Sequence, residues 1–219
     1  MNKQAAIFDF DGVIFHSEPL HERAWQQTAL EEHKPFSREA FLTGFGVKNE
    51  RFIREILGWT NLDEEIRRII ELKEAKFHTL LQNEGIEPIE GTVALLERLS
   101  LLRIPCAIGS SAVLENIDLV LSHHNHLRSL FSAIVSGEEV LYGKPDPGVF
   151  LKAASKLGIE PEKCVVFEDA PAGIEAALTA GMSAVALTTT FPCEKLSLCH
   201  PTLLVSSLDS EAIINLFRM

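Results

Sequence analysis

Short apolar runs that each break abruptly on a chemistry-bearing group constrain this chain more than any other feature. Ala5-Ala6-Ile7-Phe8 stops at Asp9-Phe10-Asp11-Gly12, Pro105-Cys106-Ala107-Ile108-Gly109 at Ser110-Ser111, and Cys164-Val165-Val166-Phe167 at Glu168-Asp169. Ile134-Val135, Ala184 to Leu187 and Leu203-Leu204-Val205 are further strand candidates. Continuous apolar runs of this length read as strands buried on both faces, which is the habit of parallel sheets. In such a sheet the residues beyond the carboxyl ends of the strands converge, however far apart they lie in sequence.

Helical spacing fills the intervals. Val93 to Leu102, Ala112 to Leu121, Gly148 to Leu157 and Ile174 to Ala180 alternate with the strands from residue 91 onward. Between about residues 17 and 83 the texture changes: Leu20, Ala24, Trp25 and Thr28, then Phe52 to Leu57 and Ile66 to Leu81, follow helical periods with no strand between them. The expected architecture is a three-layer α/β, Rossmann-like core with a parallel sheet, formed by residues 1–16 and 84–219, with a helical cap inserted at 17–83.

A chain of 219 residues carrying 20 Lys+Arg against 31 Asp+Glu, net charge -11, offers no basic surface for nucleic acid or an anionic membrane. It remains compatible with a small anionic substrate, because a divalent cation and a few convergent lysines reverse the local field. Cys106, Cys164, Cys193 and Cys199 show no CxxC spacing and read as core thiols. No leader-like or membrane-spanning run is evident, so the expected compartment is the cytoplasm. Trp25, Phe45, Phe52, Trp59 and Phe77 read as helical core. His123, His124 and His126 read as a polar turn before Leu127 rather than a metal cluster.

Two acids one residue apart at a strand exit can divide labour, Asp9 as a nucleophile toward phosphorus and Asp11 as an acid and base; a solvated turn or a plain metal site is the ordinary alternative. Carboxylate attack on a phosphate dianion needs compensating positive charge. Asp169, supported by Glu168, can join Asp9 and the backbone carbonyl of Asp11 in a hard oxygen shell for Mg²⁺. Lys144, in Gly143-Lys144-Pro145-Asp146-Pro147, supplies an ammonium or is a solvated loop lysine. Ser110 holds phosphoryl oxygens or caps a helix.

The segments Asp9-Phe10-Asp11-Gly12-Val13, Gly109-Ser110-Ser111, Gly143 to Pro147 and Phe167 to Ile174, in this order, resemble the four motifs of the haloacid dehalogenase-like hydrolases, in the subgroup of beta-phosphoglucomutase and phosphoglycolate phosphatase. The resemblance covers essentially the whole chain. It implies Mg²⁺ dependence, an aspartyl-phosphate on Asp9, acid/base chemistry at Asp11, phosphate binding at Ser110 with Ser111 beside it, the motif-three lysine at Lys144 and the acidic metal motif at Glu168 and Asp169. In the cap it implies substrate roles for His21, within Glu18-Pro19-Leu20-His21, and for Lys73.

This chain also departs from the pattern. Asn49 stands where mutase-like members carry an arginine for a second phosphate, with Lys48 and Arg51 as neighbours able to compensate; Ala112 replaces a phosphate-binding serine, and His16 replaces an acid. Neutral Asn49 cannot match an arginine's bidentate grip. The expected function is therefore hydrolysis of a small phosphate monoester, with no protein partner implied. A sugar phosphate mutase, a pyrophosphatase and a phosphometabolite-binding protein without turnover are the alternatives. A nucleotide-dependent oxidoreductase lacks its GxGxxG after the first strand.

Overall fold

The computed structural model describes residues 3–217 and divides into two compact units, Ser17–Ile86 and the pair of segments Met1–His16 and Glu87–Met219. The smaller unit is helical. Its elements are α1 (Glu18–Glu31), α2 (Arg38–Gly44), a short α3 (Asn49–Arg51) that runs on as a π-helical turn over Phe52–Ile56, and α4 (Asp63–Glu84). Apolar residues on α1 and α4 meet along their length. Trp25 is edge-on to both Phe52 and Trp59, and Phe45 is edge-on to Phe41; all of these rings are buried, as is Phe77. The expected aromatic core is present, and no strand occurs among the described residues of this unit.

The described residues of the larger unit contain six strands: β1 (Ala5–Phe8), β2 (Cys106–Gly109), β3 (Ala133–Val135), β4 (Cys164–Glu168), β5 (Ser183–Leu187) and β6 (Leu203–Val205). They form one parallel sheet in the order β3-β2-β1-β4-β5-β6, with helices on both faces. The helices are α5 (Thr92–Leu101), α6 (Leu114–Ser122), α7 (Asn125–Ser129), α8 (Gly148–Leu157), α9 (Pro171–Thr179), α10 (Cys193–Ser197) and α11 (Glu211–Asn215). Every residue of β1 and β4 is buried, and the Phe8 and Phe167 rings stack at 4.4 Å across their pairing. Covered faces explain why these strands read as unbroken apolar runs instead of alternating ones.

The strand order reverses between β1 and β4, the place where loops leave in opposite directions and open a crevice. Register aligns Phe8 with both Ile108 and Phe167, so the groups after β1, β2 and β4 emerge at one level.

Three sequence expectations shift. Helix α9 starts at Pro171 instead of Ile174, because proline at the first helical position sacrifices no hydrogen bond. Helix α6 starts at Leu114 instead of Ala112, with extended Val113 as its cap and its first N–H donated to Glu138, so Ser110 does not cap it. Among the cysteines, Cys106 and Cys164 are buried, with burial pushing their thiols up to about 12 and about 11, but Cys193 is exposed and Cys199 partly so. No described helix is long and apolar enough to cross a membrane.

Candidate active site

Asp9 follows β1 directly, and its N–H continues the sheet ladder by donating to the Phe167 carbonyl at 3.0 Å. That bond sets its carboxylate beside the β4 exit. Ligand oxygens of Asp9, Glu168 and Asp169 lie within 4.8 Å of one another, and all three residues are buried. Lys144, fully buried, reaches this cluster from the loop before α8: its Nζ lies 2.7 Å from Asp9 Oδ1 and 2.6 Å from Glu168 Oε1. The second contact is a hydrogen bond and the first an ion pair. The Phe150 ring lies 4.8 Å from the same ammonium and adds a cation–π contact. Lys144 is thus a structural part of the cluster and not a solvated loop residue.

The four groups are not equivalent. Glu168 spends both oxygens: Oε1 accepts from Lys144, and Oε2 accepts the N–H groups of Asp169 and Ala170 at 2.9 and 3.0 Å. A Cβ on Gly173 would fall 1.7 Å from Glu168 Oε1, so the first turn of α9 approaches the carboxylate as only glycine allows. Asp169, by contrast, is fully buried with neither oxygen hydrogen-bonded. A buried carboxylate with no partner is costly, and three acids facing one lysine leave excess negative charge.

The titration behaviour has the same origin. Asp9 is pushed up to about 7, first by burial, then by Glu168 and Asp11, against the opposing pull of Lys144. Asp169 is raised well above the ordinary carboxylate range by burial, Glu168 and Asp9. For Lys144 burial works downward, but Asp9 and Glu168 outweigh it and hold the ammonium charged. A hard divalent cation suits this donor set: all-oxygen, anionic, with the orphaned oxygens of Asp169 available.

Asp11 is half-buried, and its carboxylate is not one of the three clustered acids; its backbone bridges to Phe15 in the turn where Gly12 donates to the Phe15 carbonyl. Ser110 is buried and its N–H donates to the Val135 carbonyl, while its hydroxyl accepts from the Ala112 N–H at 3.1 Å. Ser111 beside it is half-buried.

Residues 3–181 match the family described as haloacid dehalogenase-like hydrolase. The chain belongs to this family. Over 217 residues it is 33% identical to the chloroplastic 5-amino-6-(5-phospho-D-ribitylamino)uracil phosphatase of Arabidopsis thaliana, covering 98% of this chain and 57% of that protein, so it spans little more than half of that relative's length. It is 32% identical to fructose-1-phosphate phosphatase YqaB of Escherichia coli, covering 82% of this chain and 93% of that one. Among solved structures, a beta-phosphoglucomutase from Clostridium difficile superposes with a TM-score of 0.85 at 27% identity, covering 98% of this chain and 97% of that one.

The remaining site residues expected of this hydrolase form a second cluster, inside the helical unit. Lys73 Nζ lies 2.9 Å from His21 Nδ1 and 3.0 Å from Glu74 Oε1. Asn49 donates to that same Glu74 oxygen at 2.8 Å. The His21 ring stacks on Phe77 at 4.1 Å, and the Lys73 ammonium lies over Phe77 and Trp25. Lys73 is 2% exposed, so it is not a solvated helical lysine. Arg51, a candidate to replace the missing arginine, is engaged with Glu55 at 2.8 Å. Glu74 was missed from sequence because no motif marks it; a carboxylate adjacent to an otherwise apolar-face lysine was the available signal.

Of the three histidines near residue 125, His126 pairs with exposed Glu97 at 2.8 Å and His124 packs against Phe15. Among the described residues they belong to no candidate metal cluster.

Proposed function

We propose that this hydrolase is a Mg²⁺-dependent phosphatase acting on a monophosphorylated sugar or polyol through an aspartyl-phosphate on Asp9. The observation that carries this reading is the buried Asp9-Lys144-Glu168-Asp169 cluster, which has one cation against three acids and two orphaned Asp169 oxygens. Asp9 and Asp169 would hold the ion, with Glu168 fixing the backbone between them through the Asp169 and Ala170 N–H groups. When bound, the ion supplies the positive charge that lets a carboxylate approach a phosphate dianion.

In the first half-reaction an Asp9 oxygen attacks phosphorus, and the ester P–O bond breaks as Asp11 gives its proton to the departing alkoxide. In the second, Asp11 takes a proton from water, the water oxygen attacks the phosphoaspartate phosphorus, and Asp9 is regenerated as inorganic phosphate leaves. Lys144 remains charged throughout and opposes the negative charge gathering near Asp9. Ser110 and Ser111 are assigned to the phosphoryl oxygens.

The alcohol portion of the substrate is assigned to His21, Lys73 and Asn49. The substrate class follows from their charges: Glu74 already neutralises Lys73 and occupies the Asn49 amide, so the group has hydrogen-bonding capacity but no surplus cation for a second phosphate. The named activities of the Arabidopsis and Escherichia coli relatives, both phosphatases of singly phosphorylated compounds, support the same choice. A mutase is the second reading, favoured by the likeness to a beta-phosphoglucomutase structure. Time-resolved product analysis with a panel of sugar and polyol phosphates, with and without a bisphosphate primer, decides between them. Inorganic phosphate released in step with substrate loss supports the phosphatase; isomer accumulation without it makes the chain a mutase.

A further inference from the structure

Beyond β5 the chain runs through Thr188-Thr189-Thr190, a segment with no part in the chemistry above. The Thr189 hydroxyl donates to the Gly12 carbonyl and so ties this segment to the turn that follows Asp11. The Thr190 hydroxyl oxygen is buried and makes no hydrogen bond, the same condition as both Asp169 oxygens. A Cβ on Gly12 would lie 1.9 Å from Asp169 Oδ2 and 2.7 Å from Thr190 Oγ1. The two oxygens therefore flank one small space, kept open because position 12 is a glycine at φ +80°.

Buried donors and acceptors are almost always paired, and an orphaned donor beside an orphaned acceptor calls for a missing participant. A divalent ion would be that participant: Asp169 would give one oxygen to it, leaving the other as an acceptor for the Thr190 hydroxyl. We infer that Thr190 is a positioning residue for the metal site: it donates to the Asp169 oxygen not spent on the ion, while Thr189 holds the Asp11-Gly12 turn. Ligating carboxylates are themselves commonly held by such outer hydrogen bonds, and losing one weakens metal affinity about 10–100-fold. The inference rests on the reading of Asp9 and Asp169 as the ion's ligands.

The test is calorimetric titration of the ion-free protein with Mg²⁺, comparing wild type, Thr190→Val and Thr190→Ser. Phosphate release is followed over a Mg²⁺ series in parallel. Thr190→Val should bind Mg²⁺ about 10-fold more weakly and raise the half-saturating Mg²⁺ concentration by the same factor, with a smaller effect on kcat at saturating Mg²⁺; Thr190→Ser should restore both. If valine does not fold, Thr190→Ala takes its place. Equal Mg²⁺ affinity in a folded valine or alanine variant overturns the inference, as does a serine variant no better than valine. A wild-type protein that binds no Mg²⁺ overturns it together with the metal assignment. Weakened binding in Thr190→Val with no phosphatase activity in either protein supports Thr190 and overturns the functional reading alone.

Discussion

Among the described residues two lysines are buried, Lys144 and Lys73, and their surroundings differ in one decisive respect. Lys144 faces Asp9 and Glu168, with Asp169 beside them, so the cluster retains uncompensated negative charge and orphaned oxygens. Lys73 faces one carboxylate, Glu74, which also accepts from Asn49, together with one imidazole and two aromatic rings. The first arrangement has negative charge to spare for a cation; the second is balanced from within. An unbalanced site stores the demand for ion and phosphate chemistry, whereas a balanced one offers shape and hydrogen bonds. On the proposed reading, the reactive step and the choice of substrate fall to clusters with opposite electrostatic logic.

The strongest way to break this contrast is to remove the nucleophile. Asp9→Asn keeps the shape and should lower phosphate release by about 10⁴-fold or more, with the phosphorylated wild-type protein seen by rapid-quench mass measurement and none in the variant. Turnover above that level would move the nucleophile elsewhere. Next in size are the two lysine-to-methionine changes, read by urea unfolding. Lys144→Met strands Asp9 and Glu168 and should cost about 3–5 kcal/mol. Lys73→Met leaves Glu74 with the Asn49 amide and should cost about 1–3 kcal/mol. Equal losses would show that the two lysines are structurally interchangeable in kind. Smaller again is Glu74→Gln, which frees the Lys73 charge: kcat/KM for a bisphosphate relative to the matching monophosphate should rise about 10-fold. An unchanged ratio would remove Glu74 from substrate choice.

The core cluster was legible in the sequence because each of its acids ends an apolar run, and a strand buried on both faces announces its own exit. Asp9 and Glu168-Asp169 flank the strand-order reversal for that reason. Sequence could not show that Glu168 spends both oxygens on Lys144 and two backbone N–H groups while Asp169 spends none, since that depends on the turn into α9 and on Gly173. Nor could it reveal Thr190, which sits after a strand with no acidic ending. In the helical unit the resemblance marked His21, Lys73 and Asn49, but Glu74, the residue that joins two of them, belongs to no motif. Asn49 and Glu74 lie 25 positions apart, and only the packing of the helices brings them together. Cys193 departs from the burial habit of cysteine because it stands, exposed, as the first residue of the short helix α10.

The finest test of the contrast is pH. Asp9 is raised from an ordinary value of 3.8 to about 7, and Asp169 is raised as well, so between about pH 4 and 7 the folded ion-free protein holds protons that the unfolded chain has released. Its stability therefore falls as pH rises through that window. Glu32, Glu84 and Glu139 are lowered by their Arg and Lys partners and act in the opposite sense, but from 4.5 downward, outside the range of interest. From pH 5.5 to 7.5 the Asp9 contribution should amount to about 2 kcal/mol, read as the difference in unfolding free energy between wild type and Asp9→Asn without Mg²⁺. Added Mg²⁺ needs the ionised carboxylates, so its stabilisation should grow over the same interval and cancel the fall. Glu74→Gln should leave this Mg²⁺-reversible slope intact. A wild-type difference that stays flat, or a slope that Glu74→Gln abolishes, would mean that the unbalanced charge has been assigned to the wrong lysine's surroundings.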